Sequence, residues 1–534
     1  MATLTLTSSF GNDWPPDALA GGIITSRTAT TMTYTSERGY TITLRGTGFT
    51  YDDDGLPSGG TVTRTTVALG AVTFADYAGV SVDFGRAGMM LFGYDRNNGN
   101  HQNPDPFAFI EIMLRGNDVV TGSAGDDDVR GSYGNDIINT GGGNDYVGDE
   151  QAGNDTMNGG DGWDTLSFDE AVWRWDAFRG VNLDALTGIA LDCFGTTDHF
   201  SNFERFKDSL YADTLKGSNI EEESFSITRG NDIVDGRGGF DWADYSGAND
   251  WGAKHGVKVN LGTGVAIDSW RGTDTLANIE GVFGTSFADT ITGTGADETF
   301  QSGAGVDVVN MGGGQDRLVF WDVGRNNDGG HGITFDFNLA NNVVDDGYGN
   351  TENALGVEEV IGSRFNDRLT GNGAKNWLGG NDGNDTINGG GGEDDLWGEW
   401  GSDRISGGGG NDHISGGGDN DTLTGNAGGD QFNFDWDLAD IGVDTITDFQ
   451  VGIDNIWIGS WWGGGFVNDF LVANQFRSGA GVTSANTATQ RLIYNTTTGD
   501  LFFDADGTGG TAAVKFATLS NHAALTFDDF NVFL

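Results

Sequence analysis

The chain has 534 residues, of which 92 are glycine and only 5 are proline; this composition excludes a collagen-like or proline-rich chain and favours a repeat architecture. Its 27 basic and 79 acidic residues give a net charge of -52, which excludes nucleic acid as a main partner because the phosphates would be repelled. Hydrophobic residues make up 37%, too many for a disordered acidic tail, so bound cations must neutralise the carboxylates.

The sequence offers neither a disulfide nor an N-terminal targeting segment. The single cysteine, Cys193, cannot form an internal bridge, and bound metal is the natural substitute for such a cross-link. No stretch approaches the ~18 apolar residues of a membrane span. Residues 1–25 have neither a basic start nor an apolar core, so we expect no membrane span and no ordinary signal peptide.

Residues 1–113 lack any repeat and form the first predicted domain. Runs at 31–35, 40–44, 61–67 and 80–84 alternate between apolar and polar residues and are separated by Gly and Asp clusters, which is typical of short β-strands. We expect a small N-terminal β-sandwich-like domain.

From residue 114 onward a nine-residue frame, Gly-Gly-x-Gly-x-Asp-x-apolar-x, recurs in four blocks. The blocks span 114–168, 213–244 (degenerate), 287–320 and 365–433. The Asp residues at the sixth position of the frame are Asp118, Asp127, Asp136, Asp145, Asp155, Asp164, Asp232, Asp241, Asp289, Asp307, Asp316, Asp367, Asp385, Asp394, Asp403, Asp412, Asp421 and Asp430. Glu298 and Asn376 replace Asp at this position, and Asp419 also departs from the pattern.

Three inserts, 169–212, 245–286 and 321–364, separate the blocks and resemble one another. Each contains an alternating segment such as residues 181–192, 257–268 or 333–339, and each leads into a similar start of the next block. Alternation of this kind predicts strands that rejoin the repeat structure.

The nonapeptide itself predicts an all-β fold, a parallel β-roll or β-solenoid. Each repeat supplies a three-residue strand with one inward apolar side chain and a six-residue turn whose glycines permit close backbone approach. Two repeats make one winding of 18 residues, and stacked windings bury a thin apolar layer. The carboxylates then form two columns, which are stable only with hard, oxygen-coordinated cations between them, and calcium fits best.

The segment Gly-Gly-Gly-Gly-Asn-Asp-His-Ile-Ser at 407–415 resembles the RTX, or hemolysin-type, calcium-binding repeats. The resemblance implies that the sixth-position Asp residues bind Ca²⁺ in a β-roll together with carbonyl groups of the glycine turns. Those turn positions are Gly125, Gly134, Gly143, Gly383, Gly392, Gly401 and Gly410. We expect multiple Ca²⁺ ions, on the order of a dozen or more, and folding that depends on them.

Residues 434–534 resemble the C-terminal cap of RTX proteins exported by type I systems, in segments such as 444–449, 491–495 and 528–534. This resemblance implies a C-terminal secretion signal, the type I secretion machinery as a partner, and an extracellular or cell-surface location in a Gram-negative bacterium.

The sequence predicts no enzyme and no catalytic residues. It contains no His-Glu-x-x-His and no Gly-x-Ser-x-Gly motif, so the proteases and lipases that often carry RTX tails are not expected. Paired carboxylates carry no catalytic information against so many calcium-ligand candidates.

The favoured function is therefore structural. One hypothesis is a subunit that folds and self-assembles on Ca²⁺ at the cell surface, resembling calcium-dependent S-layer proteins or filament subunits. The alternative is a monomeric adhesin or biofilm-matrix protein that binds polysaccharide or lipopolysaccharide. A secreted hydrolase with an unrecognised site in residues 1–113 is third.

Overall fold

The structure is a computed structural model. It describes residues 117, 119–130, 133–149, 152–169, 177–321, 323, 330–339, 343–462, 466 and 470–533, together with the backbone of six strands before residue 84. The chain divides into two compact units, the first formed by Met1–Ala253 with Gly264–Ile279 and the second by Lys254–Thr263 with Glu280–Leu534.

Nearly all regular structure is strand. The N-terminal strands are β1 (Thr3–Leu6), β2 (Ile23–Arg27), β3 (Thr31–Thr35), β4 (Tyr40–Tyr51), β5 (Pro57–Leu69) and β6 (Val72–Asp83). They are followed by β7 (Val119–Thr121), β8 (Asp128–Arg130), β9 (Ile137–Gly142), β10 (Tyr146–Gly148), β11 (Thr156–Asp161), β12 (Thr165–Ser167), β13 (Asn182–Asp184), β14 (Ile189–Leu191), β15 (Thr197–Ser201), β16 (Arg205–Lys207), β17 (Thr214–Lys216), β18 (Glu222–Ser226), β19 (Ile233–Asp235) and β20 (Phe240–Asp244).

The next strands are β21 (Lys258–Asn260), β22 (Val265–Ile267), β23 (Thr273–Ala277), β24 (Gly281–Phe283), β25 (Thr290–Thr292), β26 (Thr299–Gln301), β27 (Val308–Asn310), β28 (Arg317–Val319), β29 (Thr334–Asp336), β30 (Val343–Asp345), β31 (Thr351–Leu355), β32 (Glu359–Ile361), β33 (Arg368–Thr370) and β34 (Trp377–Gly379). The last are β35 (Thr386–Gly391), β36 (Asp395–Trp397), β37 (Arg404–Gly409), β38 (His413–Ser415), β39 (Thr422–Ala427), β40 (Gln431–Phe434), β41 (Asp444–Ile446), β42 (Asn455–Gly459), β43 (Phe476–Gly479), β44 (Leu492–Asn495), β45 (Asp500–Phe503), β46 (Val514–Leu519) and β47 (Phe530–Phe533).

The described helices are short 3₁₀ turns at Ser246–Trp251, Ser460–Trp462, Ala473–Gln475 and Phe527–Asp529. None of the helices in the described part of the chain is long and apolar enough to cross a membrane.

The N-terminal strands pair in one antiparallel order, with β2 to β6 running in sequence and β1 against β6. The predicted β-rich character of residues 1–113 therefore agrees with the backbone, while packing of these strands as a sandwich stays a prediction. Asp52, Asp53 and Asp54, which the sequence predicts to form an acidic turn, lie outside the described residues.

In the first unit, alternate strands of the repeats build two parallel sheets. One sheet runs β7-β9-β11-β15 and continues through β17-β19-β23; the other runs β8-β10-β12-β16-β18-β20. Two strands of the first insert, β13 and β14, pair antiparallel with each other and fill the positions between β17 and β15. The insert thus extends the sheet of the repeats.

The second unit repeats this plan. One of its sheets runs β25-β27-β31 and, after β30 and β29, β33-β35-β37-β39-β41-β46. The other runs β26-β28-β32-β34-β36-β38-β40-β42-β47. The predicted C-terminal cap therefore continues both sheets of the roll.

The core consists of one apolar side chain per short strand, as the nonapeptide predicts. In one sheet of the second unit these side chains are Leu369, Ile387, Ile405 and Leu423, and in the other Leu378, Leu396, Ile414 and Phe432. Each is at most 1% exposed. Register partners such as Leu396 and Ile414 lie 18 residues apart, so the predicted parallel β-roll with one winding for every two repeats is confirmed.

Candidate metal centres

The sixth-position Asp residues are charged side chains in a fully enclosed setting. All those named above from Asp127 to Asp430 are at most 3% exposed; Asp118 lies outside the described residues. A buried carboxylate is stable only when it is hydrogen-bonded, neutralised or bound to a cation. The roll therefore carries these buried charges at the ends of its turns, just before each strand begins.

Backbone N–H groups satisfy one oxygen of each carboxylate. The N–H groups of Asp367, Asp385 and Asp403 donate to Oδ1 of the Asp 18 residues later, at 2.7, 2.7 and 2.8 Å, so these residues and Asp421 form one column. The second column repeats this bonding from Asn376 through Asp394, Asp412 and Asp430 at 2.8 to 3.0 Å. Each column is thus a ladder of carboxylates spaced by one winding.

The second oxygen of these carboxylates is left without a donor. Buried Oδ2 atoms with no hydrogen-bond partner belong to Asp385, Asp394, Asp403, Asp412, Asp421 and Asp430. An ionised carboxylate oxygen can only accept hydrogen bonds, and no donor reaches these Oδ2 atoms. A row of such buried, negatively charged atoms therefore needs bound cations to neutralise it. Hard oxygen ligands in an irregular arrangement suit Ca²⁺, and the residues present therefore fit the ion that the sequence predicts.

The glycines of the turns let successive windings approach closely. Gly410 adopts a φ of 131°, and a Cβ on it would lie 1.4 Å from the carbonyl oxygen of Gly392. Gly401 has the same φ, and its Cβ would lie 1.5 Å from the Gly383 carbonyl oxygen. Only glycine fits such positions, and the turns place carbonyl oxygens beside the carboxylate columns.

The other predicted turn glycines behave similarly in part. Gly134, Gly143, Gly383 and Gly392 have positive φ angles of 136°, 109°, 134° and 125°. Gly125 donates its N–H to Ser123 Oγ at 3.2 Å. Carbonyl coordination by these residues stays a prediction.

Burial raises the pKa of the column carboxyls, with neighbouring carboxylates as a further cause. The pKa rises to about 8 for Asp385 and to about 7 for Asp403 and Asp421. For Asp394 and Asp430 it rises to about 6. Without a cation, several of these groups hold protons near neutral pH, so protons compete with metal for the same oxygens.

The earlier blocks contain the same ladder. The Asp127 N–H donates to Asp145 Oδ1 at 2.8 Å, and the Asp289 N–H donates to Asp307 Oδ1 at 2.7 Å. Oδ2 of Asp164, Asp232, Asp307 and Asp316 is buried and lacks a hydrogen-bond partner. Asp136, Asp155 and Asp241 are buried as well. In the degenerate block, Asp213 donates its N–H to Asp232 Oδ1 at 2.8 Å.

The positions that depart from the motif are placed differently. Glu298 is 3% exposed, accepts the Thr294 N–H at 3.0 Å and keeps a buried Oε2 without a partner. Asn376 occupies its position in the ladder at 2% exposure, but an amide oxygen brings no negative charge. Asp419 is exposed.

The ladders also include carboxylates that the sequence reasoning missed. The Asp155 N–H donates to Asp198 Oδ1 at 2.9 Å, and the Asp232 N–H donates to Asp274 Oδ1 at 3.0 Å. In the cap, the carboxylates of Asp444 and Asp454 accept the N–H groups of Asp421 and Asp430. In the inserts, the carboxylates of Glu204 and Glu358 accept the N–H groups of Asp164 and Asp316. Each has an apolar residue two positions later, and Asp274, Glu358, Asp444 and Asp454 also keep a glycine two positions earlier, so the repeat signal is present without its first two glycines.

Comparison with known proteins agrees with this geometry. A family model for the RTX calcium-binding nonapeptide repeat (4 copies) matches residues 114–147, 151–170, 283–318, 361–396, 370–405 and 397–432. A search of curated proteins finds no match.

Two solved structures are similar over part of the chain. A subunit of the Azotobacter vinelandii mannuronan C5-epimerase is 22% identical, with a TM-score of 0.19 over 32% of this chain and 80% of that chain. An extracellular lipase from Serratia marcescens is 15% identical, with a TM-score of 0.15 over 47% of this chain and 40% of that chain.

The nonapeptide match and the buried carboxylate ladders coincide in the same residues. The chain therefore carries RTX calcium-binding nonapeptide repeats folded as a parallel β-roll.

Proposed function

We propose that the chain is a secreted calcium-binding structural protein that folds and self-assembles on Ca²⁺ at the surface of a Gram-negative bacterium, as an S-layer or filament subunit. Proteins with RTX repeats are typically secreted, which supports the extracellular part of this proposal. The buried carboxylate ladders support the calcium dependence. The proposal assigns no catalytic role, and its partners are further copies of the chain, cell-surface polysaccharide or lipopolysaccharide, and the type I secretion machinery.

One surface supports the assembly step, and we call it the aliphatic face. It is the outer side of the first parallel sheet in the first unit, where Ile137, Ile189, Ile233, Val265 and Ile267 are 39% to 47% exposed. Parallel sheets are normally covered on both faces, and contiguous exposed apolar surface marks interaction sites.

The strand register places the members of the aliphatic face in two rows, with polar residues between them. Ile233 pairs across the sheet with Thr275, which pairs with Val265; all three are exposed. In the earlier windings, Ile137 and Ile189 lie at the two ends of the row that passes through Thr156 and His199. This face offers side chains of low conformational entropy to a second copy of the roll.

The same row in the last block of the second unit is polar. Arg368, Thr386, Arg404 and Thr422 lie side by side there. The windings therefore differ in the apolar surface that they offer, which suits a defined contact between copies better than unspecific aggregation.

The test compares wild type with a double variant, Ile233→Thr with Val265→Thr, and with Thr275→Ser on the same face as the matched control. Threonine keeps the β-branched shape and the strand preference. Negative-stain microscopy and sedimentation, with millimolar Ca²⁺ and after chelation, report assembly, and circular dichroism reports folding.

We expect sheets or filaments with Ca²⁺ that dissolve on chelation. The double variant should fold but assemble at least ~10-fold less readily, because about 2 kcal/mol of apolar burial is lost, and the control should assemble normally. Folded wild-type monomers at every concentration would contradict the proposal and favour the polysaccharide-binding adhesin.

A further inference from the structure

The three inserts share an acidic signature that lies outside the nonapeptide frame. Each has an Asp at the end of a strand and a second carboxylate six residues later. The pairs are Asp192 with Asp198, Asp268 with Asp274, and Asp346 with Glu352. All six side chains are at most 3% exposed. An insert that only extended a sheet would not need two buried charges in the same places.

The first Asp of each pair organises the turn between two strands. Asp192 Oδ1 accepts the N–H groups of Phe194 and Thr196 at 3.1 and 2.6 Å. Asp268 Oδ1 accepts those of Trp270 and Gly272 at 2.8 and 2.6 Å. Turn formation accounts for these oxygens, whereas the remaining carboxylate oxygens need a different explanation.

In the first insert these carboxylates meet a third one from the roll. One oxygen each from Asp149, Asp192 and Asp198 forms a group whose members all lie within 4.8 Å of one another. Asp149 follows β10, Asp192 follows β14 and Asp198 lies in β15. The three side chains are at most 1% exposed, so three like charges converge in a water-excluded space.

Two of these carboxylates have an oxygen that no donor reaches. Oδ2 of Asp149 and Oδ2 of Asp198 are buried and have no hydrogen-bond partner. Asp198 Oδ1 accepts the Asp155 N–H at 2.9 Å, which fixes the orientation of that side chain. The unpartnered oxygens therefore belong to groups held by the fold, and mutual repulsion would separate the carboxylates unless a cation joined them.

We propose that Asp149, Asp192 and Asp198 hold a divalent cation of the Ca²⁺ class in a site that shares only Asp198 with the carboxylate ladders. The ligand set is purely carboxylate oxygen, which suits hard cations and disfavours zinc or copper. Because Asp192 and Asp198 come from the insert and Asp149 from the roll, the ion fastens the insert to the winding beside it. This inference does not depend on self-assembly.

The other inserts contain the corresponding parts. Beside the third insert, Asp307 Oδ2 and Glu352 Oε1 are buried without a partner, and Asp346 is fully buried. Beside the second, Asp268 Oδ2 and Asp232 Oδ2 are in the same state. These residues repeat part of the arrangement at the first insert, but the converging group of Asp149, Asp192 and Asp198 lies at the first insert, and the proposed ion is placed there.

Asp149→Asn is the variant that isolates the site, because Asp149 belongs to neither ladder. The matched control is Asp169→Asn, another buried Asp that follows a strand of the same sheet; Asp169 accepts the Ser167 hydroxyl at 2.6 Å and pairs with Lys207 at 3.9 Å. Bound calcium per full-length chain is measured after equilibrium dialysis at fixed free Ca²⁺. We expect Asp149→Asn to lose one ion per chain and the control none; an unchanged count in Asp149→Asn would overturn the proposal.

Crystals of the wild-type chain grown with Mn²⁺ keep the test decisive if the variant does not fold. An anomalous peak within about 2.6 Å of an oxygen from each of the three carboxylates would support the site. Peaks along the nonapeptide ladders with none at this position would overturn it. Loss of one ion in Asp149→Asn, together with wild-type chains that never assemble, would instead count against the proposed function alone.

Discussion

Substitution of Asp403 by Asn should have opposite effects with and without calcium. Asp403 is 2% exposed, its Oδ1 accepts the Asp385 N–H at 2.7 Å, and its Oδ2 has no partner. Asparagine has nearly the same shape and keeps an oxygen for the Asp385 N–H. The substitution therefore removes one negative charge and little else.

The magnitude follows from the pKa. Burial raises the pKa of Asp403 from 3.8 to about 7. At pH 7 this carboxyl is ionised in the unfolded chain, and burying it without a cation lowers the stability of the metal-free fold by about 4 kcal/mol. Asparagine avoids that cost, and Asp403→Asn should stabilise the metal-free fold by a few kcal/mol. With Ca²⁺ bound, loss of one partner of a buried charge pair should destabilise it by about 3–5 kcal/mol.

Urea unfolding followed by circular dichroism measures both signs. One series contains millimolar Ca²⁺, and the other contains chelator with an osmolyte that favours compact states. Asp382→Asn is the control, since Asp382 is an exposed carboxylate of the same block; it should shift neither midpoint by more than about 0.5 kcal/mol. Equal destabilisation by Asp403→Asn in both series would show that Asp403 acts as a structural hydrogen-bonding residue and not as a cation ligand.

Three further predictions follow from the same geometry. Because the raised pKa values of Asp385, Asp403 and Asp421 penalise the ionised fold, the metal-free chain should gain β-structure as pH falls from 8 to 5; a circular dichroism signal of the metal-free chain that stays constant over this range would contradict this. Gly410→Ala should destabilise the calcium-loaded chain by at least about 2 kcal/mol, because Gly410 has a positive φ and lies close to the Gly392 carbonyl. Gly409→Ala is the control, since nothing lies within 4 Å of the added Cβ, and thermal unfolding should show no such loss of stability for it. Leu396→Ala should cost about 2–5 kcal/mol in the same assay, since this core side chain is fully buried, and a loss below ~1 kcal/mol would show that the apolar layer is loosely packed.

Most of the roll could be predicted from its sequence because one nine-residue frame fixes strand, turn and inward side chain together. Leu378, Leu396 and Ile414 lie in register at the predicted interval of 18 residues. The frame also placed Asp385 and Asp403 in one column, since parallel strands repeat their register with every winding. Local periodicity thus carried tertiary information that an ordinary globular sequence does not contain.

The remaining carboxylates could not be found in this way because the first two glycines of the frame are absent before them. Asp444 and Asp454 continue the two ladders into the cap, and Asp198 continues one into an insert. Asp444 and Asp454 keep one glycine two positions earlier and an apolar residue two positions later, and Asp198 keeps only the apolar residue; such reduced patterns are too common to be recognised alone. Asp149 lacks even that signal, since it meets Asp198 only after a long insert returns to the sheet.

Hydrogen exchange of the full-length chain, with Ca²⁺ and with chelator, measures whether the carboxylate ladders need cations, because the N–H groups of Asp367, Asp385 and Asp403 donate to the carboxylates that are expected to bind the ions. We expect strong protection of residues 361–432 in calcium and exchange at nearly the unfolded rate after chelation. Equal protection of these amides in both conditions would contradict this expectation, since the carboxylate ladders would then be stable without a cation.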